Sequence, residues 1–158
     1  MRRPRIHNVF GNDRVGAGLS TIFTENVRQW SRLVHTSHLP GLFYMTSGPL
    51  PVNPVAILSS DRMRELLGEL ERVFDYVVLD APPIIGLPDA LVLSDLADGT
   101  VLVVEDSRVN REELRESLRL AGSSRRALLL GVVLNKIRPS SGWFGYKYSD
   151  YYYRGAYK

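Results

Sequence analysis

The stretch that decides the fold is "DYVVLDAPP", residues 75–83. It contains a short, uninterrupted apolar run, which is typical of strands that are covered on both faces in a parallel sheet. Two later runs have the same character, "DGTVLVVED" at residues 98–106 and "ALLLGVVLNK" at residues 127–136. We therefore predict a strand in each of these three ranges.

Helical patterns alternate with these strands. Apolar residues three and four positions apart predict amphipathic helices, with Ser20, Ser59 or Ser60, and Asn110 as capping residues. The predicted helices cover residues 18–34, 59–74, 88–97 and 110–122. A further short strand at 42–45 leads into a long Gly/Pro-rich turn. This alternation predicts an α/β fold with a mostly parallel sheet flanked by helices.

Composition restricts the class of protein. The chain has 158 residues, of which 44% are hydrophobic and 23% charged, as in an ordinary globular domain. We predict one folded domain over residues 1–137 and a flexible tail over residues 138–158. The absence of cysteine excludes disulfides and thiolate chemistry. The net charge of +3 has no clustered basic stripe, so we expect no nucleic-acid binding. No apolar run approaches the length of a membrane helix, and no apolar stretch follows the basic N-terminus, so we expect a cytoplasmic location.

Two strand ends carry candidate ligand-binding residues, because ligands bind at the carboxyl ends of parallel strands. Asp80 follows an apolar strand, which is the Walker B pattern for a carboxylate that holds Mg²⁺ near nucleotide phosphates. Asn135 ends the last strand, and its amide suits the edge of an adenine ring. Each residue also has a simpler interpretation: a carboxylate that caps a turn for Asp80, and ordinary turn chemistry for Asn135.

The usual partner of a Walker B strand is missing from these 158 residues. No G-x-x-x-x-G-K-[ST] phosphate loop occurs, and the nearest glycine-rich stretch, "GNDRVGAGLST" at residues 11–21, has no Lys at the required place. His7, His35 and His38 show no metal-ligand spacing. We therefore do not assign a phosphate loop or a histidine metal site.

The end of the chain is rich in tyrosine. Six of the eight tyrosines lie in "YKYSDYYYRGAYK", residues 146–158. They are Tyr146, Tyr148, Tyr151, Tyr152, Tyr153 and Tyr157. Such a cluster is either a sticky low-complexity segment or a set of functional phenols, and its composition alone does not distinguish the two.

Taken together, these stretches resemble the bacterial tyrosine kinases of capsule and exopolysaccharide synthesis, which are deviant-Walker P-loop ATPases. The matching stretches are "RRPRIHNVFG", "SGPLPVNP", "DYVVLDAPP", "PDALVLSDLADGTVLVV", "GVVLNK" and the tyrosine cluster. They follow the family's order along nearly the whole chain. The resemblance implies a P-loop NTPase-like kinase domain, of which this chain is the C-terminal part.

The resemblance also implies roles for matching positions. Asp80 is the implied catalytic Walker B carboxylate, which holds Mg²⁺ through water. Asn135 and Arg2 are the implied nucleotide-binding residues. The six tail tyrosines are the implied phosphoacceptors. Implied partners are neighbouring kinase subunits in a homo-oligomer and a membrane activator or polysaccharide co-polymerase, which would hold the kinase at the inner face of the cell membrane.

The chain also departs from the family. Arg2 ends a family motif, Asp-x-Asp-x-Arg, whose two Asp positions are absent here, together with the phosphate loop and its strand. Where the family usually has Arg and Gly, this chain has Glu105-Asp106-Ser107. We expect Met1 to be an internal methionine of a longer reading frame; a truncated gene and a non-catalytic remnant are the alternatives.

Two functions follow from the resemblance. In the first, the chain is the C-terminal portion of an ATP-dependent tyrosine autokinase and is inactive alone because the phosphate loop is missing. In the second, it is a non-catalytic regulatory or phosphoacceptor module that a complete kinase modifies in trans. A partitioning-type ATPase is a third possibility, which the tyrosine tail disfavours.

Overall fold

The computed structural model describes residue 10 and residues 16–25, 27, 29–106, 108–123, 126 and 128–137. Its regular elements follow in chain order: α1 (Leu19–Thr24), a 3₁₀ turn (Trp30–Leu33), β1 (Val34–Thr36), β2 (Phe43–Met45), α2 (Pro54–Leu58), α3 (Asp61–Glu71), α4 (Asp89–Ser94), β3 (Gly99–Glu105), α5 (Arg111–Ala121) and β4 (Leu128–Asn135).

Helix α3 lies at the centre of the core. The Ser60 hydroxyl accepts a hydrogen bond from the Met63 backbone N–H at 3.2 Å, which caps the helix as its sequence predicts. One face buries Met63, Leu66 and Leu67, and Leu66 has no exposed surface. The other buried apolar side chains of this cluster come from α1, the 3₁₀ turn, α2 and α4: Ile22, Leu33, Leu58 and Leu93. A single apolar cluster therefore joins these elements.

Helix α5 also confirms its predicted ends. The Asn110 side chain accepts from the backbone N–H groups of Glu112 and Glu113, and the Glu113 carboxylate accepts from the Asn110 N–H at 3.2 Å. This reciprocal pair is a capping box. Gly122 ends the helix, with its N–H donated to the Leu118 carbonyl. Strong local signals at both ends make the boundaries of this helix predictable.

The predicted helix over residues 18–34 is wrong. Helix α1 ends at Thr24, and the later residues form the 3₁₀ turn and strand β1. Strand β1 pairs antiparallel with β2, Val34 opposite Met45 and Thr36 opposite Phe43. Because these residues make their backbone hydrogen bonds across the strand pair, a continuous helix cannot include them. The strand predicted at 42–45 is confirmed, but its antiparallel partner is not apparent from the sequence.

The long turn predicted after β2 contains helix α2. Pro54 takes its first position, and the Asn53 side chain accepts from the Ala56 N–H at 3.1 Å. Proline at the first position and asparagine at the cap are both favourable for a helix start. Because this stretch is rich in Gly and Pro, its sequence predicted a turn and not the five-residue helix.

The parallel sheet is confirmed for its last two strands. Strand β3 pairs parallel with β4, with Val103 opposite Val133 and Glu105 opposite Asn135. Within the described ranges these two strands form a two-stranded sheet, separate from β1 and β2. The prediction of a sheet strand that ends at Asp80 is wrong, because residues 75–80 pair with neither sheet. The α/β class holds, with helices packed on a parallel strand pair.

A buried polar joint connects α1 to the turn after β2. The backbone N–H groups of Leu19 and Ser20 donate to the carbonyls of Thr46 and Ser47 at 2.8 and 2.9 Å. The Ser20 hydroxyl donates to the Pro49 carbonyl at 2.6 Å. Ser20 and Thr21 are almost fully buried, so these bonds offset the cost of removing polar groups from water.

We expect Gly48→Ala to destabilise the fold more than Gly86→Ala. Both glycines have left-handed backbone, with φ of 70° and 83°. An alanine at either position therefore costs about 1–2 kcal/mol in backbone strain. A Cβ at residue 48 would also lie 2.6 Å from the Ser20 Oγ, whereas a Cβ at residue 86 meets no atom within 4 Å. That overlap should add about 1–3 kcal/mol.

Urea unfolding of the two variants measures this difference, with Gly86→Ala as the matched control for left-handed strain. Equal losses of unfolding free energy in the two variants would show that residues 18–21 and 46–49 are not tightly joined.

Candidate functional site at the carboxyl ends of the strands

Parallel pairing brings the ends of β3 and β4 together. Glu105 lies opposite Asn135, and the Asp106 N–H donates to the Asn135 carbonyl at 2.9 Å. The chain then leaves β4 through Lys136, a non-glycine residue with a left-handed φ of 55°. Polar side chains from both strands therefore meet at one edge of the sheet, as expected for a ligand site in an α/β fold.

The Asn135 side chain already bonds to this turn. Its Oδ1 accepts a hydrogen bond from the Lys136 backbone N–H at 2.8 Å. The turn interpretation of Asn135 is therefore supported by geometry. It does not compete with a ligand role, because a carbonyl oxygen has a second lone pair and the amide NH₂ has two donors. Asn135 is exposed, so that these groups face solvent.

Glu105 is the centre of an ion-pair cluster at the same edge. Its carboxylate lies 3.0 Å from the Lys136 Nζ and 3.2 Å from an Arg108 guanidinium nitrogen. The hydrogen bond from Lys136, aided by the one from Arg108, holds the pKa of the Glu105 carboxyl below its ordinary value against the opposing effect of burial. The Glu105–Lys136 ion pair thus adds a side-chain bridge to the backbone pairing of β3 and β4.

This cluster was not predicted from the sequence. The residues Glu105 to Ser107 are noticeable as a departure from the family pattern, but Glu105 lies 31 positions before Lys136. Only the register of the parallel strands shows that Glu105 and Lys136 are neighbours. The sequence did contain a signal for this ion pair. One strand ends in an acidic residue, and a basic residue directly follows the other.

Asp80 lies in the extended segment 75–80. Val77 and Leu79 pack against the core cluster, whereas Tyr76, Val78 and Asp80 are exposed. Within the described part of the chain, the Asp80 carboxylate makes no hydrogen bond or ion pair. An exposed carboxylate offers the oxygen ligands that Mg²⁺ prefers.

The described part of the glycine-rich stretch, residues 16–21, is unsuited to phosphate binding. The N–H groups of Leu19 and Ser20 are donated to the turn after β2, and the Gly18 N–H is donated to the Thr21 Oγ1 at 2.9 Å. A phosphate loop needs such N–H groups free to point at the ligand. The geometry gives a physical reason not to assign this role to residues 18–20.

Several predicted site residues lie outside the described residues. They are Arg2 and the six tail tyrosines, together with the whole of the predicted tail at 138–158. Among the residues that are described, no group of three or more His, Cys, Asp or Glu side chains is arranged to hold a metal ion. No helix in the described ranges is long and apolar enough to span a membrane.

Comparison with known proteins finds similarity to bacterial tyrosine-protein kinases. No family model matches it. It is 32% identical over 156 residues to the tyrosine-protein kinase YwqD of Bacillus subtilis, covering 99% of this chain and 62% of that protein. It is 31% identical over 156 residues to the putative tyrosine-protein kinase CapB of Staphylococcus aureus, covering 97% of this chain and 63% of that protein.

Solved structures give the same result for the fold. The chimerical protein CapA2B2 matches with a TM-score of 0.80 and 29% identity, over 86% of this chain and 59% of that chain. The kinase domain of the Escherichia coli tyrosine kinase ETK matches with a TM-score of 0.77 and 28% identity, over 89% of this chain and 55% of that chain. The chain thus spans about three fifths of the length of these relatives. By sequence and by fold, it is a homologue of the bacterial tyrosine-protein kinases that corresponds to part of their length.

Proposed function

We propose that this chain forms the C-terminal portion of an ATP-dependent protein-tyrosine autokinase that regulates exopolysaccharide or capsule synthesis. The observation that carries the proposal is the continuous likeness to the kinase YwqD over 156 residues. The strand-end geometry supports it, because Asn135 is exposed at the carboxyl edge of a parallel sheet and Asp80 is exposed at the end of segment 75–80.

In this proposal the chain contributes half of a nucleotide site. Asp80 holds Mg²⁺ through water, Asn135 offers its amide donors to the adenine edge, and Arg2 is a further nucleotide-binding residue. Mg²⁺ held there would supply positive charge to offset the negative charge that develops during phosphoryl transfer. The unpaired state of the Asp80 carboxylate fits this role, since no protein cation competes for it within the described residues.

The acceptor in this proposal is the tyrosine cluster at residues 146–158. Residues 138–158 contain four Lys or Arg and one Asp, a formal charge of +3 before modification. Each phosphotyrosine adds about −1.5 to −2 near neutral pH, so six would bring the segment to about −6 to −9. This change of sign is large enough to turn attraction to an acidic surface into repulsion.

The same reasoning extends to partners and location. We propose that the complete kinase assembles with neighbouring subunits and with a membrane activator of polysaccharide synthesis, and so acts at the inner face of the cell membrane. The fold of the chimera CapA2B2 supports this proposal only through its similarity to this chain.

The first test concerns nucleotide binding. Without a phosphate loop in its 158 residues, the purified chain should bind Mg²⁺-ATP more weakly than about 1 mM. Isothermal titration calorimetry measures this affinity, and complete YwqD serves as the positive control. Autophosphorylation of the purified chain with Mg²⁺-ATP would show that the site is complete without the loop.

A second test separates the autokinase from the alternative function, a phosphoacceptor module that is modified in trans. Mixing the chain with active YwqD and Mg²⁺-ATP should place phosphate on the tail tyrosines, detected by mass spectrometry of the peptides. Tyr76 is the matched control, because it is a tyrosine outside the tail whose side chain is 88% exposed.

Phosphate on Tyr76 and on the tail at equal rates would indicate unspecific modification of exposed phenols. No phosphate on the tail would count against both the autokinase and the trans-acceptor function. Replacing all six tail tyrosines by phenylalanine should abolish the signal while Tyr76→Phe leaves it unchanged.

The charge reversal gives a third test. In a complete kinase carrying this tail, phosphorylation should reduce the size of the subunit assembly, as measured by light scattering before and after ATP addition. The six Tyr→Phe changes should make that size independent of ATP. A size change that persists in the six-fold variant would refute the proposed role of the tail charge.

A further inference from the structure

Three features of the turn after β4 meet at Lys136. Its backbone is left-handed, with a φ of 55°. Its backbone N–H donates to the Asn135 Oδ1 at 2.8 Å, and its Nζ lies 3.0 Å from the Glu105 carboxylate on the neighbouring strand. A left-handed conformation is unfavourable for a residue that carries a Cβ. The two contacts of Lys136 therefore have to hold it in that conformation.

The hydrogen bond within the turn also decides which end of the Asn135 amide is presented to a ligand. A backbone N–H is a donor, so the atom that accepts from it is the side-chain oxygen and not the NH₂ group. Within the described part of the chain, the NH₂ group at the other end of this amide makes no hydrogen bond. Asn135 is exposed, so the strand end offers N–H donors to a ligand atom that carries a lone pair.

Glu105 is placed to fix this turn from the neighbouring strand. It is the register partner of Asn135. Its carboxylate also accepts from an Arg108 guanidinium nitrogen at 3.2 Å, so it is restrained from its own side of the pair. The Glu105 side chain is 32% exposed and that of Lys136 is 63% exposed. The carboxylate is thus the better-fixed partner, and it positions the Lys136 side chain.

We infer that Glu105 is a positioning residue for Asn135. Its carboxylate fixes the Lys136 side chain, and the fixed Lys136 keeps its backbone N–H on the Asn135 Oδ1. That hydrogen bond holds the amide in one orientation, with its NH₂ donors turned away from the turn. The use of these donors to bind a nucleotide base rests on the proposed function, whereas the fixed orientation of the amide does not.

A simpler role for the ion pair is to brace β3 against β4. The two strands are already paired from Gly99 and Leu128 to Glu105 and Asn135, at the end of which the Asp106 N–H donates to the Asn135 carbonyl. A partly exposed ion pair adds little to such a ladder. What it can change at the last rung is the conformation of the turn that follows.

Nuclear magnetic resonance of the 158-residue chain tests the inference without a ligand. Three-bond couplings across the Asn135 Cα–Cβ bond report whether its side chain holds one rotamer, and exchange of the Lys136 amide reports its hydrogen bond. Glu105→Gln removes the charge and keeps the size of the side chain. In this variant the Asn135 couplings should approach rotamer-averaged values, and Lys136 amide exchange should rise about two- to fivefold, as the energy of partly exposed ion pairs allows.

Glu116→Gln is the matched control. It makes the same chemical change in the Glu116–Arg119 ion pair of helix α5, whose atoms lie 2.7 Å apart and involve neither strand end. This variant should leave the Asn135 couplings and the Lys136 exchange rate as they are in the unchanged chain.

Variants of Lys136 show whether Glu105 acts through it. Lys136→Arg keeps the positive charge and should keep the Asn135 rotamer, whereas Lys136→Met should release it as far as Glu105→Gln does. In the Lys136→Met background, Glu105→Gln should add nothing, because the two changes remove one interaction. A general loosening of the sheet would not produce this pattern of rescue and non-additivity.

A ligand arm uses adenosine as the probe. At millimolar concentration it should shift the side-chain NH₂ signals of Asn135, and its apparent affinity should be about two- to fivefold weaker in Glu105→Gln, in proportion to the loss of the fixed orientation. If adenosine leaves these signals unshifted while the ligand-free results are as expected, the proposed nucleotide role of Asn135 fails and its positioning by Glu105 stands.

Three results would overturn the inference. One is an unchanged set of Asn135 couplings in Glu105→Gln. Another is an equal effect of Glu105→Gln and Glu116→Gln. The third is additivity of Glu105→Gln and Lys136→Met, which would show that Glu105 does not act on Asn135 through Lys136.

Discussion

The packing of Val77 and Leu79 on the core cluster determines which side chains of segment 75–80 are exposed to solvent. Leu66 is fully buried in that core cluster. Val77 and Leu79, which alternate along segment 75–80, pack against the cluster. Because side chains alternate along an extended segment, this packing places Val78 and Asp80 in solvent. The packing of these two side chains thus leaves the carboxylate proposed for Mg²⁺ in solvent.

The strand-end site depends on a second contact, the parallel register of β3 and β4. That register puts Glu105 beside Asn135 and lets Lys136 reach the Glu105 carboxylate at 3.0 Å. The ion pair is partly exposed, and exposed pairs contribute little to stability. The ion pair instead restrains the position of Lys136. The backbone N–H of Lys136 donates a hydrogen bond to the Asn135 side chain.

The kinase proposal draws on two exposed side chains from different parts of the chain. In that proposal the nucleotide site takes Asp80 from the extended segment 75–80 and Asn135 from the end of β4. Within the described residues no hydrogen bond or ion pair joins the two side chains, so a bound ligand would have to bridge them.

Sequence reasoning succeeded where a signal is local. Ser60 and Asn110 begin helices α3 and α5 because their side chains bond to N–H groups two or three residues away. It failed over residues 18–34, where the apolar spacing of a helix is interrupted by hydrogen bonds to residues 43–47, far along the chain. Amphipathic spacing reports which side chains are buried, but it does not report which backbone groups pair.

The α/β class, the capped starts of α3 and α5 and the strands β3 and β4 are predictable from the sequence. Periodicity and capping depend on neighbours within one or two helical turns, so they are visible in the chain itself. The β1–β2 pair, the Glu105–Lys136 ion pair and the unpaired course of segment 75–80 become known only from the tertiary structure. Each of these depends on which distant residues meet in space, and that leaves no local pattern in the sequence.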